Sequence, residues 1–224
     1  MYLKLLILFL LQINIFANPI SIDGKVSFIN LLPNSQLYID HTRSFSLNDI
    51  QTKNIKFDIN QKESLSYGYS PNFNVWITFI LKNTTDSPIV KIVEYANPLT
   101  TNIEFYDLQN TCYIVDKKGL FDIENSLDKE TVNPIFKITL QPHETKRYYL
   151  KASSDITTLI VNLNLWDQDK FYIKEIKHQI ILSLFFGAMF ILGIYNLFIF
   201  FFTKDRSYLH YVAYIFTLIY HQII

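Results

Sequence analysis

The stretch Asn74-Val75-Trp76-Ile77-Thr78-Phe79-Ile80-Leu81 decides the fold. In an extended chain Val75, Ile77, Phe79 and Leu81 project to one side, and Asn74, Trp76, Thr78 and Ile80 to the other. The same period recurs to either side. Ile55, Phe57 and Ile59 alternate with Lys56 and Asp58, and Ile89–Tyr95 and Ile103–Tyr106 read as strands. Phe136, Ile138 and Leu140 alternate with Lys137 and Thr139, and Tyr148 and Leu150 follow the Pro142-His143 turn. Leu159, Val161, Leu163 and Leu165 oppose Thr158, Ile160, Asn162 and Asn164. Turn residues punctuate these runs at Pro71-Asn72, Asn97-Pro98, Lys117–Gly119 and Asn133-Pro134. Short strands at this spacing predict a mainly β fold, an antiparallel jelly roll or β-sandwich. The clear exception is a short helix over Leu47–Gln51, capped by Ser46.

Hydrophobic segments flank this domain. Residues 1–17 carry one charge, Lys4, ahead of an apolar run of about twelve residues, the pattern of a secretory signal peptide ending at Ala17. Residues 180–202 carry no charge and are long enough to cross a bilayer as transmembrane helix 1. A polar turn, Lys204–Arg206, leads to a second apolar run over 208–224, read as the start of a truncated transmembrane helix 2. Between the flanks, residues 18–179 carry 17 basic and 19 acidic residues, and a soluble, exported domain is read over 18–166. From Asp167 to Phe186 there is neither Gly nor Pro. A juxtamembrane helix over 167–179 would therefore enter the membrane without a break and pass any tilt of the sandwich into it.

Composition excludes several functions. The 20 basic and 20 acidic residues leave no surplus for a nucleic-acid surface. A single cysteine, Cys112, excludes an internal disulfide and a cysteine-based zinc site. The acidic loop Asp122, Glu124, Asp128 and Glu130 reads as solvated, and no nucleophile elbow or metalloprotease helix occurs, so neither an enzyme nor a cofactor is expected.

Two groups of residues are candidates for binding. Trp76 and Thr78 lie on the more polar face of their strand, and Asn162, Asn164 and Trp166 share another such face. Sugar rings stack on exposed indoles while amides and hydroxyls donate hydrogen bonds, although packing is the commoner role of a tryptophan and Trp166 also suits a membrane-proximal anchor. Tyr69 and Phe73 belong to an aromatic loop ahead of Trp76. Inside the membrane run, His210, Tyr214, Thr217 and His221 recur at spacings of four, three and four, which places them on one helix face, and Asn196 is a possible partner on the preceding helix.

Several motifs resemble one known family. Gly68-Tyr69-Ser70 followed by Val75-Trp76-Ile77-Thr78 and Leu81-Lys82-Asn83, then Asn97-Pro98-Leu99 with Ile103-Glu104-Phe105-Tyr106, resembles the second type of extracellular domain of seven-transmembrane receptors with diverse intracellular signalling modules. Phe185-Phe186-Gly187, Ile194-Tyr195-Asn196-Leu197-Phe198 and Asp205-Arg206-Ser207-Tyr208 resemble the first two helices of that family's membrane unit. The resemblance implies a bacterial inner-membrane receptor whose periplasmic, carbohydrate-binding-like domain detects a small ligand. It also implies a downstream histidine kinase or diguanylate cyclase, in the same or a separate chain. Thr78 stands where the family has an arginine, which alters the ligand expected. The alternative is a membrane-anchored, non-catalytic interaction module of the cell envelope.

Overall fold

The computed structural model describes residues 19–53, 55–109, 112–121 and 131–223. The expected signal peptide and the acidic loop lie outside the described residues. Two compact units divide at Gln168, and each is described by itself.

Among the described residues, the first unit has thirteen strands: β1 (Ile20–Ile22), β2 (Phe28–Asn30), β3 (Gln36–Asp40), β4 (Asp58–Ile59), β5 (Leu65–Tyr69), β6 (Asn74–Asn83), β7 (Ile89–Tyr95), β8 (Asn102–Gln109), β9 (Cys112–Lys118), β10 (Ile135–Leu140), β11 (Thr145–Ser153), β12 (Thr158–Val161) and β13 (Leu163–Asp167). The larger sheet runs β4-β3-β6-β11-β8-β9, with β1 added in parallel beside the end of β6; the smaller runs β10-β7-β13-β2. A two-stranded ribbon, β12-β5, accompanies them. The two main sheets enclose one core. Val75, Ile77, Phe79 and Leu81 of β6 meet Val93, Tyr95, Phe136, Ile138, Leu163 and Leu165 of the opposite sheet. Phe105 on β8 stacks on Phe136 on β10 at 4.7 Å, which joins the sheets through their aromatic rings. This is the antiparallel sandwich that the alternation predicts.

The helix α1 (Leu47–Thr52) carries the expected cap as a full capping box: the Ser46 hydroxyl accepts from the Asp49 amide, and the Asp49 carboxylate accepts from the Ser46 amide. Helix α1 lies on the outer face of the larger sheet, where Ile50 packs with Trp76, Tyr106 and Tyr149 in a second cluster. Ile55 and Phe57 serve the same cluster from its margin, so their alternation yields only the two-residue β4. The expected single run over 158–165 is two strands, because β12 pairs with β5 while β13 pairs with β7 and β2.

The second unit is helical. Helix α2 (Gln168–Thr203) is 36 residues, about 54 Å at 1.5 Å per residue, and is long and apolar enough to cross a membrane. Helix α3 (Arg206–Ile223) follows after a short turn. The two helices pack through Gly193, where an added Cβ would lie 3.5 Å from Phe216 and 3.7 Å from Ile215. Val212 and Ile215 of α3 and Asn196 of α2 are buried.

Candidate functional site

Register across the larger sheet builds the outer face in rows. Tyr38, Trp76, Lys151, Glu104 and Lys117 stand side by side on five successive strands. Gln36, Thr78, Tyr149, Tyr106 and Val115 form the neighbouring row. On the other side of the first row, Asp40 pairs with Asn74 and Ser153 with Asn102.

At that end of the sheet a polar cavity of about 170 Å³ is lined by Arg43, Asn74, Asn102, Glu104, Lys151 and Ser153. Asn74 and Ser153 are 3% and 7% exposed, and neither side chain has a hydrogen-bond partner among the described residues. The charged groups around them are paired to different degrees. Arg43 binds Asp155. Glu104 accepts from the Tyr106 hydroxyl and holds Lys117 at 3.1 Å, while the Lys151 ammonium stands off at 3.5 Å. Burial opposes ionisation of Glu104, but Tyr106, Lys117 and Lys151 outweigh it and hold the carboxyl below its usual range. Burial, and then the Glu104 carboxylate, push the Tyr106 hydroxyl well up. Arg43 adopts a left-handed backbone conformation (φ 58°), uncommon for a residue with a Cβ. Asp40, beside Asn74, is buried but satisfied by Thr42 and the Phe45 amide.

The residues expected from sequence do not converge on one site. Trp76 is fully buried, stacked on Tyr106 at 5.6 Å with Lys151 at 5.6 Å from its ring. An open indole face on the sheet is therefore corrected to a packed one, because α1 and its flanks cover this part of the sheet. Thr78 is also buried and donates to the Tyr148 carbonyl. Asn164 and Trp166 sit on the outer face of the smaller sheet, across the core from Trp76. There the Trp166 indole donates to Glu94 at 2.6 Å, the Asn133 amide donates to the other oxygen of that buried carboxylate, and Phe28 lies 4.5 Å from the Trp166 ring. Asn162 occupies the link between β12 and β13, its carbonyl accepting from the Ala96 amide. Tyr69 is 74% exposed at the end of β5, and Phe73 packs edge-on to Tyr67 and His41. The six cavity residues come from four separated segments. In sequence Asn74 stands out as a polar neighbour of Trp76, but nothing local signals the register that joins the others to it.

On α3, His210, Tyr214, Thr217 and His221 are exposed and lie about 160° around the helix from Val212 and Ile215, at 100° per residue. Asn196 therefore does not meet them; it lies in the α2–α3 seam and donates to the Leu192 carbonyl. His210 and Thr217 bond the carbonyls one turn back, of Arg206 and Ala213. No cluster of His, Cys, Asp and Glu suited to a metal occurs among the described residues.

Residues 33–167 match the family described as 7TMR-DISM extracellular 2, and residues 178–224 match 7TM diverse intracellular signalling. The chain belongs to the 7TMR-DISM family. A 7TMR-DISM protein is a membrane sensory receptor with an extracellular domain, here the N-terminal sandwich. No curated protein matches this 7TMR-DISM chain. Among solved structures it is similar to BtGH115A, a family GH115 4-O-methyl-α-glucuronidase with specificity for decorated arabinogalactans. That similarity is at 12% identity and a TM-score of 0.33, over 63% of this chain and 17% of that one. It is also similar to TmCBM61, solved in complex with β-1,4-galactotriose, at 5% identity and a TM-score of 0.29, over 60% of this chain and 88% of that one.

Proposed function

We propose that the sandwich of this receptor binds a small ligand outside the membrane, a carbohydrate being the class the resemblance implies, and that α2 carries the event to a cytoplasmic histidine kinase or diguanylate cyclase. The membrane is the bacterial inner membrane, the sandwich is periplasmic, and the crossings fall within 180–202 and 208–224. The chain itself is not catalytic.

The observation that supports this reading is the junction between the units. Strand β13 ends at Asp167 and α2 begins at Gln168, with no residue between strand and helix. Asp167 is itself held: the buried Lys91 ammonium pairs with its carboxylate at 3.0 Å and donates to the Val26 carbonyl at 2.8 Å. A displacement of the smaller sheet has no loop in which to dissipate before it reaches the helix. The sequence-derived residues divide between the two tasks. Trp76, Thr78, Tyr69 and Phe73 support ligand binding, while Asn164 and Trp166 belong to the strand that transmits it and Asn162 to the link just before that strand. Within the membrane, the face of His210, Tyr214, Thr217 and His221 turns toward further helices, since polar groups facing lipid are costly; Asn196 holds the α2–α3 seam.

Inserting Gly-Gly after Lys174 in the receptor, in its own cells, tests this. Signalling is expected to be lost while the sandwich melts unchanged. Signalling that survives the insertion refutes transmission through a continuous helix.

A further inference from the structure

Asn74 and Ser153 are largely buried residues on neighbouring strands, and their polar ends, unpartnered among the described residues, open onto one cavity. Polar groups held in such a recess are ready to bond a molecule that enters it. The cavity has room for roughly six waters at about 30 Å³ each, the size of a small organic molecule.

The walls show which chemistry is missing. The nearby carboxylates are already engaged: Glu104 by Tyr106, Lys117 and Lys151, Asp155 by Arg43 and Asn102, and Asp40 by Thr42 and Phe45. Donors are in surplus. The Lys151 ammonium, over the Trp76 ring, has only Glu104 at 3.5 Å as an anionic partner. The Arg43 guanidinium reaches Asp155 through one nitrogen. The Asn74 amide and Ser153 hydroxyl, which can donate as well as accept, stand beside them. A ligand that completes this set brings acceptors, and most favourably an anionic one, because charge-assisted hydrogen bonds in a half-buried site are the strong ones.

We propose that this cavity is a binding site for a small hydroxylated carboxylate, its carboxylate on Lys151 and Arg43 and its hydroxyl on Asn74 and Ser153. The inference rests on the receptor reading in taking the sandwich as the ligand-binding unit, and it replaces a neutral sugar by an organic acid. The Trp76 indole then has a role without being touched: it fixes the ammonium at the cavity wall.

Titration calorimetry of the full chain in detergent tests the assignment with D-gluconate, D-glycerate and L-lactate, each beside its uncharged counterpart D-glucose, glycerol or propane-1,2-diol. Saturable binding of at least one carboxylate is expected, with its counterpart at least about tenfold weaker. Lys151→Met is expected to weaken that carboxylate by about tenfold or more, the loss of one charged hydrogen bond. Asn102→Leu, at an exposed cavity position, gives a second variant should the first fail to fold, and it is expected to reduce affinity for the same acid. Equal or tighter binding of the uncharged compounds overturns the carboxylate assignment and leaves the receptor reading standing. Binding of none of these compounds, or carboxylate affinity unchanged in both variants, overturns the site. Loss of signalling in the Gly-Gly variant bears on transmission alone, so the two readings fail separately.

Discussion

Replacing Lys91 by Met removes the ammonium that holds Asp167 while keeping most of the apolar stem. Lys91 is 2% exposed, whereas the Asp167 side chain is 34% exposed, so water can reach the abandoned carboxylate. The ion pair is therefore discounted to about 1 kcal/mol. The Val26 carbonyl loses its 2.8 Å donor at a partly buried position, a further cost of about 1 kcal/mol. A total of about 2 kcal/mol lowers Tm by about 4–8 °C for a protein of this size. The assay is built into the chain. Its two tryptophans, Trp76 and Trp166, both lie in the sandwich, so tryptophan fluorescence follows the melting of that unit alone. The double variant Lys91→Met/Asp167→Asn should cost less than the sum of the single changes by about 1 kcal/mol, as coupled groups do. A drop below about 2 °C in Lys91→Met, or strict additivity in the cycle, refutes the argument that this pair secures the junction.

Gly119→Ala is expected to destabilise by more than about 3 kcal/mol, lowering the fluorescence Tm by over about 6 °C, because the new Cβ would lie 2.2 Å from the Thr101 carbonyl oxygen and neither backbone segment has a flexible end to yield. Glu104 predicts an acid sensitivity: its folded pKa lies below the unfolded one, so its contribution is complete above about pH 5 and fades as pH falls through about 4.3 and below. Glu104→Gln should therefore lose less Tm than the parent chain between pH 6 and pH 3, and parallel curves would contradict the ionised role given to that carboxylate.

What the sequence discloses and what it conceals follows from the range of the interactions. Alternation in 74–81 and 136–140 is local, and β6 and β10 form where it places them. The Ser46–Asp49 cap is likewise written in four adjacent residues. Short strands such as β1, β2 and β3 carry too little period to be seen, and they form because neighbouring strands offer them an edge. Trp76 shows how a correct face assignment misleads. Its side of the strand is the polar one, yet a six-residue helix and the flanking rings of Tyr38, Phe45, Phe57 and Tyr113 suffice to cover it. The cavity is less legible still. Asn74, Asn102 and Ser153 are ordinary strand-end polar residues in sequence, and only the pairing of β6 with β11 and of β11 with β8 sets them around one space.

The division of the 158–167 segment between two pairings has one more consequence. A single residue, Asn162, separates the strand that lies along β5 from the strand that leads into α2, and its carbonyl is pinned to Ala96. Leu159 and Val161 before it, and Leu163 and Leu165 after it, all point into the same core. Adding or deleting one residue here would turn one pair of leucine-type side chains out to solvent. The segment therefore works as a fixed-length ruler: among homologues of this chain, gaps should gather in the 122–130 region and at the strand ends, and be missing from these ten positions.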